Sequence, residues 1–538
     1  MVLNVKSVCI VGGGSAGWMT ATTLIRRFPD IKVTLIESPD IATVGVGEST
    51  VGGITNWMKL VDIAKDEKDF MRETDATYKL AIGFQDFYLR NSGKFFYPFG
   101  SPVPQTNSNK AGHPSHAWYI KKIMKPETPW SEYAECMNSQ MGLVMKNRFS
   151  KNERNLFPGF SVPGDIAYQF DATKFGIWLR DRVCLPEGLE WIKSTVSRKN
   201  IIPDANGIDK IILNDGKQVK ADLFIDCTGF RSLLLGDVMG VEFESCEDFI
   251  PNNRAWATKI PYTDPSKQIW NYTMCSAVEN GWIWEIPLWS RLGCGYVYSD
   301  RFISDEEALL QFHENLIAKG YNNPDKLEYK NIKMRNGKHK KLWHKNVLAI
   351  GLAAGFIEPL ESNGLYTTHE FLKEMCHVLE HNAMVNEWDR IQFNGKVNLS
   401  FTSFKEFVAL HYMYSHRNDT EYWREITSRE WYDLTDTTNQ GFPLLQIPMA
   451  FHDKWGSSWG WTPDEPRSGT PYIATGMQTM VLDKTDVDEI WPVNAKNIYD
   501  DYKNEISELD SRRKRWFKQA ESCPTNYEYL KENIYNET

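Results

Sequence analysis

Several features that would have pointed quickly to a function are missing from the sequence. Its nine cysteines are scattered, with no C-x-x-C pair and no cluster with histidine at metal-ligand spacing. That excludes a disulfide framework, gives no sign of a bound metal, and fits reduced thiols in a cytoplasmic protein. No run of about 18 uninterrupted apolar residues occurs, so no membrane span is expected. The opening "MVLNVKSVCIVGGGSAGW" passes at once into a strand, so no signal peptide is expected either. Positive charge is not in excess: Lys and Arg total 61 against 70 Asp and Glu, and the net charge of −9 leaves no electrostatic case for nucleic acid. There is no internal repeat, and G-x-G-x-x-G occurs once.

What is present is a chain of 538 residues, long enough for two to four structural units. Aromatic residues make up 13%, with 20 tryptophans, which calls for an aromatic cavity or an aromatic-rich core. Residues 6–11 ("KSVCIV") read as a buried strand, "GGGSAG" as a turn, Trp18 to Arg27 as a helix, and 31–37 ("IKVTLIE") as a second strand. Strands return at 221–229 ("ADLFIDCTG") and 346–355 ("NVLAIGLAAG"), so an α/β sheet assembled from distant segments is expected. Residues 85–165 are rich in Pro, Gly, Asn and aromatics and read as long loops. Asp305–Lys319 and Leu365–His381 read as helices. From about 400 the chain mixes aromatic clusters with a charged helical tail, in which "RRKR" (512–515) reads as a solvated, salt-bridged helix face.

Gly12, Gly14 and Gly17 spell G-x-G-x-x-G between a strand and a helix. Gly12 permits the tight turn, Gly14 lets the backbone approach a pyrophosphate, and Gly17 lets helix and strand pack closely. Glu37 ends the second strand, 20 residues after Gly17, where a ribose-binding acid belongs. Strand, turn, helix, second strand and acid together indicate a dinucleotide site, with Ser15 and Ala16 inside the turn. Two later returns of the chain, "DCTGFRS" with Gly229 and "AIGLAAGFIEPLESNG" with Gly351, favour FAD over NAD. Where such a return often carries Asp, this chain has Leu352, so a backbone contact must substitute. Without a second dinucleotide motif, the chain has no built-in means of reducing a flavin.

Three further segments carry chemistry. In "TYKLAIGF" (77–84), an extended reading puts Tyr78, Leu80, Ile82 and Phe84 on one face and Lys79, Ala81 and Gly83 on the other. Lysine beside two small residues suggests open space around its ammonium group; a solvated edge-strand lysine is the plainer reading. In "EPLESNG" (358–364), Ser362 or Asn363 is placed to cap a helix, and the amides at Asn363 and Gly364 form an anion site. The plainer reading is an ordinary capped helix start with Glu358 and Glu361 as first-turn acids. In "NGWIWEIPLW" (280–289), Trp282, Trp284 and Ile286 share one strand face and Pro287 stops the ladder. Two indoles side by side would also serve a core strand.

Together these segments resemble the flavin-dependent halogenases of the tryptophan-halogenase type. The resemblance rests on "GGGSAGW" (12–18), "GVGEST" (45–50), "YKLAIGF", "WIWEIP" (282–287) and "EPLESNG", in the family's order over roughly the first 370 residues. It implies a fold: an α/β, FAD-binding, Rossmann-like domain of the single-component flavoprotein monooxygenase type, with an additional mostly helical substrate region. The expected division is 1–400 for the FAD-binding halogenase domain, including a loop-rich insertion at about 85–165, and 401–538 for a helical substrate-covering region. It also implies a mechanism in which FADH2 from a separate reductase reacts with O2, and the resulting flavin hydroperoxide oxidises a halide to hypohalous acid. The acid then travels through a tunnel to an aromatic substrate. Lys79 matches the family lysine that holds the oxidised halogen, and Glu361 the glutamate that polarises it or removes the ring proton. FAD contacts are implied also at Val44, Ser49, Thr50 and Val196, halide contacts at Asn363 and Gly364, and a barrier or tunnel wall at Trp282, Trp284, Pro287 and Ser362.

The sequence departs from the family at two points. Asn363 stands where the family usually has Thr, which predicts tolerance of a larger, softer halide such as bromide or iodide. The paired tyrosines and acid that grip free tryptophan are not evident, and "IPMAFHDKWGSSWGW" (447–461) occupies that region. Loop aromatics Phe95, Phe96, Tyr97 and His113 are candidate substrate contacts instead, and the substrate is expected to be an indole or another electron-rich aromatic. A homo-oligomer is compatible with the sequence. The alternatives are an FAD-dependent aromatic monooxygenase, which would lack W-x-W-x-I-P and the lysine, and a non-catalytic FAD-binding relative.

Overall fold

The uninterrupted run Val8-Cys9-Ile10-Val11 lies in the strand Ser7–Val11, near the centre of a six-stranded sheet. Across the sheet the strands run Trp343–His344, Val347–Ala349, Leu223–Asp226, Ser7–Val11, Lys32–Glu37 and Glu190–Lys193. All neighbours are parallel except the antiparallel edge pair Trp343–His344 and Val347–Ala349. A parallel sheet is covered on both faces, which is why its strands read as continuous apolar runs rather than alternating ones. In this computed structural model the described residues are 2–41, 47–100, 102–103, 115–161, 164–380, 383–429, 465–478 and 495–536.

The expected βαβ opening is present, with the helix beginning at Ser15 and running to Arg27. The two late windows are shorter as strands than their apolar runs suggested. Each turns sharply after three or four residues into a 3-10 segment, Gly229–Arg231 and Gly351–Ala353. The helices Asp305–Ala318 and Gly364–Leu379 lie where their periodicity placed them, the first closed by a Ser304–Glu307 capping box.

The chain forms two compact units. The first comprises 1–77, 167–261 and 288–405, and the second 78–166, 262–287 and 406–538. Besides the parallel sheet, the first unit pairs the strand Arg254–Ile260 with Leu292–Tyr298 and Tyr329–Lys333, both antiparallel. The second holds four strands in the order Lys94–Pro98, Ala81–Gln85, Tyr272–Val278 and Gly281–Pro287.

Two expectations fail here. Residues 85–165 are not a long loop: among the described ones are the strand Lys94–Pro98 and the helices Ser115–Met124, Glu132–Met137 and Met141–Met145. Its aromatics form core, with Trp118 edge-on to Tyr119 and Tyr133 at centroid distances of 5.4 and 5.2 Å. "RRKR" is not wholly a solvated face either. Lys514 and Arg515 are exposed, but Arg512 on the helix Ala495–Glu521 is 2% exposed. Its Nε donates to the Cys136 carbonyl at 2.8 Å and its Nη1 to that of Val103 at 3.0 Å. The last turn of the Glu132–Met137 helix leaves carbonyls that need donors, and Arg512 supplies one. Arg513 beside it pairs with Glu135, its Nε 2.6 Å from the carboxylate.

Candidate active site

In the first unit, the glycine-rich turn is built by close approach. Gly12 has φ +117°, and a Cβ there would stand 2.1 Å from the Cys227 carbonyl oxygen. At Gly17 it would stand 1.9 Å from the carbonyl of Gly12, where the helix crosses the turn. Gly14 differs, since a Cβ there would meet nothing within 4 Å. It is the N-cap of Ser15–Arg27 and makes no side-chain capping bond, so the helix start presents amides beside open space. That geometry fits a bound pyrophosphate. Gly13, not singled out in the sequence, is also confined: the Glu37 carboxyl would lie 2.2 Å from its Cβ.

Glu37 sits at the end of its strand, as expected, and its Oε2 accepts from Trp191 Nε1 at 3.0 Å. Burial pushes its carboxyl above the ordinary range against the opposing pull of that bond and of Arg180. Ser15 does not cap its helix; its hydroxyl donates to the Ala172 carbonyl at 3.1 Å. Val196 is buried just beyond the strand Glu190–Lys193. Of the two returns, Gly229 and Gly351 both have φ +69°, and Gly351 packs against Ala16. Leu352 lies in the 3-10 segment that follows. Asp226, at the head of the first return, spends its carboxylate on the amides of Thr228, Leu234 and Leu235 and the hydroxyl of Thr228, so its work is to shape the turn.

The "GEST" and "ESNG" motifs come together in this unit. Strand Gly47–Ser49 pairs antiparallel with Ala167–Asp171, and Thr50 is fixed by its hydroxyl donating to the Tyr168 carbonyl at 2.7 Å. Ser362, left-handed at φ +58°, donates to Ser49 Oγ at 3.2 Å. Glu48 Oε2 would lie 3.5 Å from a Cβ on Gly364. Burial, and secondarily the facing Asp171 carboxylate, push the Glu48 carboxyl up to about 7. Glu48 lies within the GVGEST motif but is marked by no signal of its own in the sequence.

The helix-capping expectation is corrected. Asn363 occupies the N-cap of Gly364–Leu379, yet neither it nor Ser362 caps with its side chain. Ser362 is held by Ser49, and Asn363 Nδ2 donates backwards to the Ile357 carbonyl at 3.3 Å. Consequently the start of this 16-residue helix has no side-chain cap, as an anion site requires. Glu358 and Glu361 are not first-turn helix acids: both precede the helix and are buried, Glu361 at 1% exposure. Glu358 accepts from Asn252 at 2.7 Å.

In the second unit, Lys79 is fully buried at the end of the strand Thr77–Lys79, which excludes the solvated-edge reading. Its Nζ lies 5.1 Å from the centroid of the Phe99 ring. The extended run breaks at Leu80, whose amide donates to the Asn271 carbonyl at 2.8 Å. The expected open space beside the lysine is not found at Gly83, where a Cβ would stand 2.8 Å from Met274 Cε and 3.0 Å from Phe96. The small residue there admits those neighbours. Trp282 and Trp284 share a face of Gly281–Pro287, with ring centroids 6.2 Å apart and planes tilted by 59°. Pro287 is the strand's last residue.

Phe95, Phe96 and Tyr97 were expected in a loop and instead form the strand Lys94–Pro98. Phe95 is covered by Gly476 of the helix Glu465–Gly476, Phe96 by Tyr272, and Tyr97 stacks on Tyr472 at 5.8 Å. Their packing partners are distant in sequence, which is why an aromatic run among prolines looked like a loop. Val44, His113 and the segment 447–461 lie outside the described residues. Among the described residues, no helix is long and apolar enough to cross a membrane, and no group of three His, Cys, Asp or Glu could hold a metal ion.

The family model for tryptophan halogenase matches residues 7–442. The chain is 33% identical over 458 residues to a tryptophan 6-halogenase of Streptomyces toxytricini, covering 79% of this chain and 82% of that one. Among solved structures, the apo structure of VirX1 superposes with a TM-score of 0.87 at 33% identity, covering 99% of this chain and all of that one. A flavin-dependent halogenase from Brevundimonas sp. BAL3 superposes with a TM-score of 0.79 at 26% identity, covering 98% of this chain and 99% of that one. With its glycine turn, two chain returns and motif order in place, the chain belongs to the tryptophan halogenase family and is an enzyme, a flavin-dependent halogenase that uses reduced FAD and halide.

Proposed function

We propose that this halogenase acts on an electron-rich aromatic ring such as an indole, accepts bromide or iodide as well as chloride, and receives reduced FAD from a separate reductase. The observation that carries the reading is Lys79: a fully buried lysine inside the family's Y-K motif, in a chain that also holds W-x-W-x-I-P. A buried ammonium group is costly to maintain without a task, and in a low-dielectric setting it acts strongly on a nearby electronegative atom.

Bound as FADH2, the cofactor would supply the oxygen activation that converts halide to hypohalous acid. Gly12, Gly14, Ser15, Ala16 and Gly17 are assigned to its pyrophosphate, Glu37 to its ribose, and Ser49, Thr50, Val196, Gly229, Gly351 and Leu352 to its remaining contacts. Asn363 and Gly364 offer backbone amides to the halide. Lys79 holds the oxidised halogen and sharpens it by donating a hydrogen bond. The Glu361 carboxylate stabilises the cationic ring formed on attack and takes its proton. Trp282, Trp284, Pro287 and Ser362 keep the aromatic substrate from the flavin. The relative from Streptomyces toxytricini is a tryptophan 6-halogenase, which supports an indole-type substrate. The nine cysteines carry thiols rather than disulfides, which supports a reducing, cytoplasmic setting.

The test is a panel of indoles, phenols and pyrroles run with a generic flavin reductase, equal chloride and bromide, and mass spectrometry. Brominated indole should dominate, and exclusive chlorination would remove the halide assignment. Lys79→Ala should abolish halogenation while FAD binding persists. Halogenated product from that variant at the wild-type rate would overturn the role given to Lys79.

A further inference from the structure

At the end of the parallel sheet away from the Gly12 turn, the first unit holds a cavity of about 290 Å³. The strand Val347–Ala349 runs parallel to Leu223–Asp226 and Ser7–Val11, so residues just before Val347 lie opposite the nucleotide-binding end. Three chain segments line the cavity: Ala205 and Asn206 of a hairpin turn, Lys341 to Lys345 at the sheet edge, and Glu387 to Asn394 of a helix. None of these residues belongs to the halogenation machinery.

The walls are fixed to one another by two asparagines. Asn346 Oδ1 accepts from the Ile208 amide and its Nδ2 donates to the Ile208 carbonyl, both at 2.9 Å, which ties the hairpin to the sheet edge. Asn394 Oδ1 accepts from the amides of Leu342 and Trp343 at 2.8 and 3.0 Å, and its Nδ2 donates to the Trp343 carbonyl at 3.0 Å. These five bonds preorganise the cavity, and a ligand need not order it on binding.

Its charge is one-sided. Among the described residues, Lys341, Lys345 and Arg390 line it against a single carboxylate, Glu387, which pairs with Arg390 at 2.9 Å. Neither lysine forms an ion pair among the described residues. Lys345 holds φ +55°, a left-handed conformation that a side chain adopts at a cost and that glycine or asparagine would adopt more easily. A lysine kept in such a place suggests that its charge is used. Trp343, buried to 1% exposure, lines the same cavity, and its indole N–H has no acceptor among the described residues. Burial, with Lys345 and Lys341 behind it, holds the His344 imidazole below its ordinary range, Glu387 opposing. With His344 neutral, three cations and one carboxylate leave two positive charges to be balanced.

We propose that this cavity binds a small, doubly charged oxyanion, a phosphate monoester, inorganic phosphate or a dicarboxylate, at Lys341, Lys345 and Arg390, with the volume of about ten waters available to it. The experiment is calorimetric titration of the full-length chain saturated with FAD, at about 0.15 M constant ionic strength. The probes are inorganic phosphate, glycerol phosphate and succinate, with chloride as control. At least one dianion should bind where chloride does not, and the ranking of the three identifies the head group. Lys345→Gly and Lys341→Gln should each lose about threefold in affinity, and together about tenfold. Lys345→Gly should melt no lower than the parent, because glycine relieves the left-handed residue. The His344 ring resonance should titrate at higher pH with the dianion bound. Equal heats for the dianions and chloride, or undiminished affinity in the double variant, would overturn the assignment.

Discussion

The Ser362 hydroxyl donates to Ser49 Oγ at 3.2 Å, joining two motifs that are 313 residues apart in the chain. One end is the strand Gly47–Ser49 and the other is the left-handed residue that precedes the helix Gly364–Leu379. Ser49→Ala and Ser362→Ala should each cost about 1 kcal/mol, and the double variant less than their sum, since the bond they share is lost in all three. Denaturant midpoints of the four proteins check this; fully additive losses would mean that the bond contributes nothing.

The glycines of the turn should respond unequally. Gly17→Ala drives a methyl group to 1.9 Å from a backbone oxygen and should prevent stable folding. Gly14→Ala meets open space, so its apo-protein Tm should fall within about 2 °C of the parent. FAD affinity should nevertheless drop, because the methyl fills the approach to the pyrophosphate. Melting curves and flavin fluorescence titrations separate the two effects.

Glu48 gives a pH dependence with a definite sign. Its carboxyl is raised from 4.5 to about 7 in the folded chain, first by burial. The protonated form is therefore favoured by folding, and its contribution is complete below 4.5 and lost as pH rises through about 7. The stability difference between the parent and Glu48→Gln should shift across that window, in the direction of a parent weakened at higher pH. If Gly364 helps hold halide, the KM for bromide should also climb above pH 7 in the parent and stay level in the Gln variant. A difference between the two proteins that does not change with pH would remove both expectations.

In the second unit, Lys121 Nζ lies 2.6 Å from Glu132 Oε1 and also reaches Asp510, with Lys121 and Glu132 both buried. Glu132→Gln leaves a buried ammonium group with one carboxylate fewer, and should cost about 3 kcal/mol. Chemical denaturation measures it. A loss below about 1 kcal/mol would mean that Asp510 alone compensates the charge.

The parallel sheet was legible because its central strands are short apolar runs, and because burial on both faces suppresses alternation. Lys79, Glu361 and the glycine turn stood out as candidates because their neighbours in sequence also carry the motif. What could not be read depends on partners far along the chain. Arg512 looked like a surface charge until the carbonyls of Cys136 and Val103 supplied its acceptors. Phe95 looked like a loop residue until Gly476 covered it. Asn363 looked like a cap because capping preference is local, whereas its side chain turns back towards Ile357. Glu48 lies within the GVGEST motif, but its carboxyl is raised first by burial and then by Asp171, more than a hundred residues away.

The interleaving of the two units bears on how the chain leaves the ribosome. Ser7–Val11 is made first of these strands, yet its neighbour Leu223–Asp226 follows some 210 residues later, and Val347–Ala349 later still. At ordinary translation rates the first strand waits roughly 10–40 s for that neighbour. During that time one flank of an apolar strand stays unpaired, the condition in which nascent chains recruit chaperones or aggregate. Expression yield should therefore respond to chaperone supply and growth temperature more than to the stability of the finished enzyme.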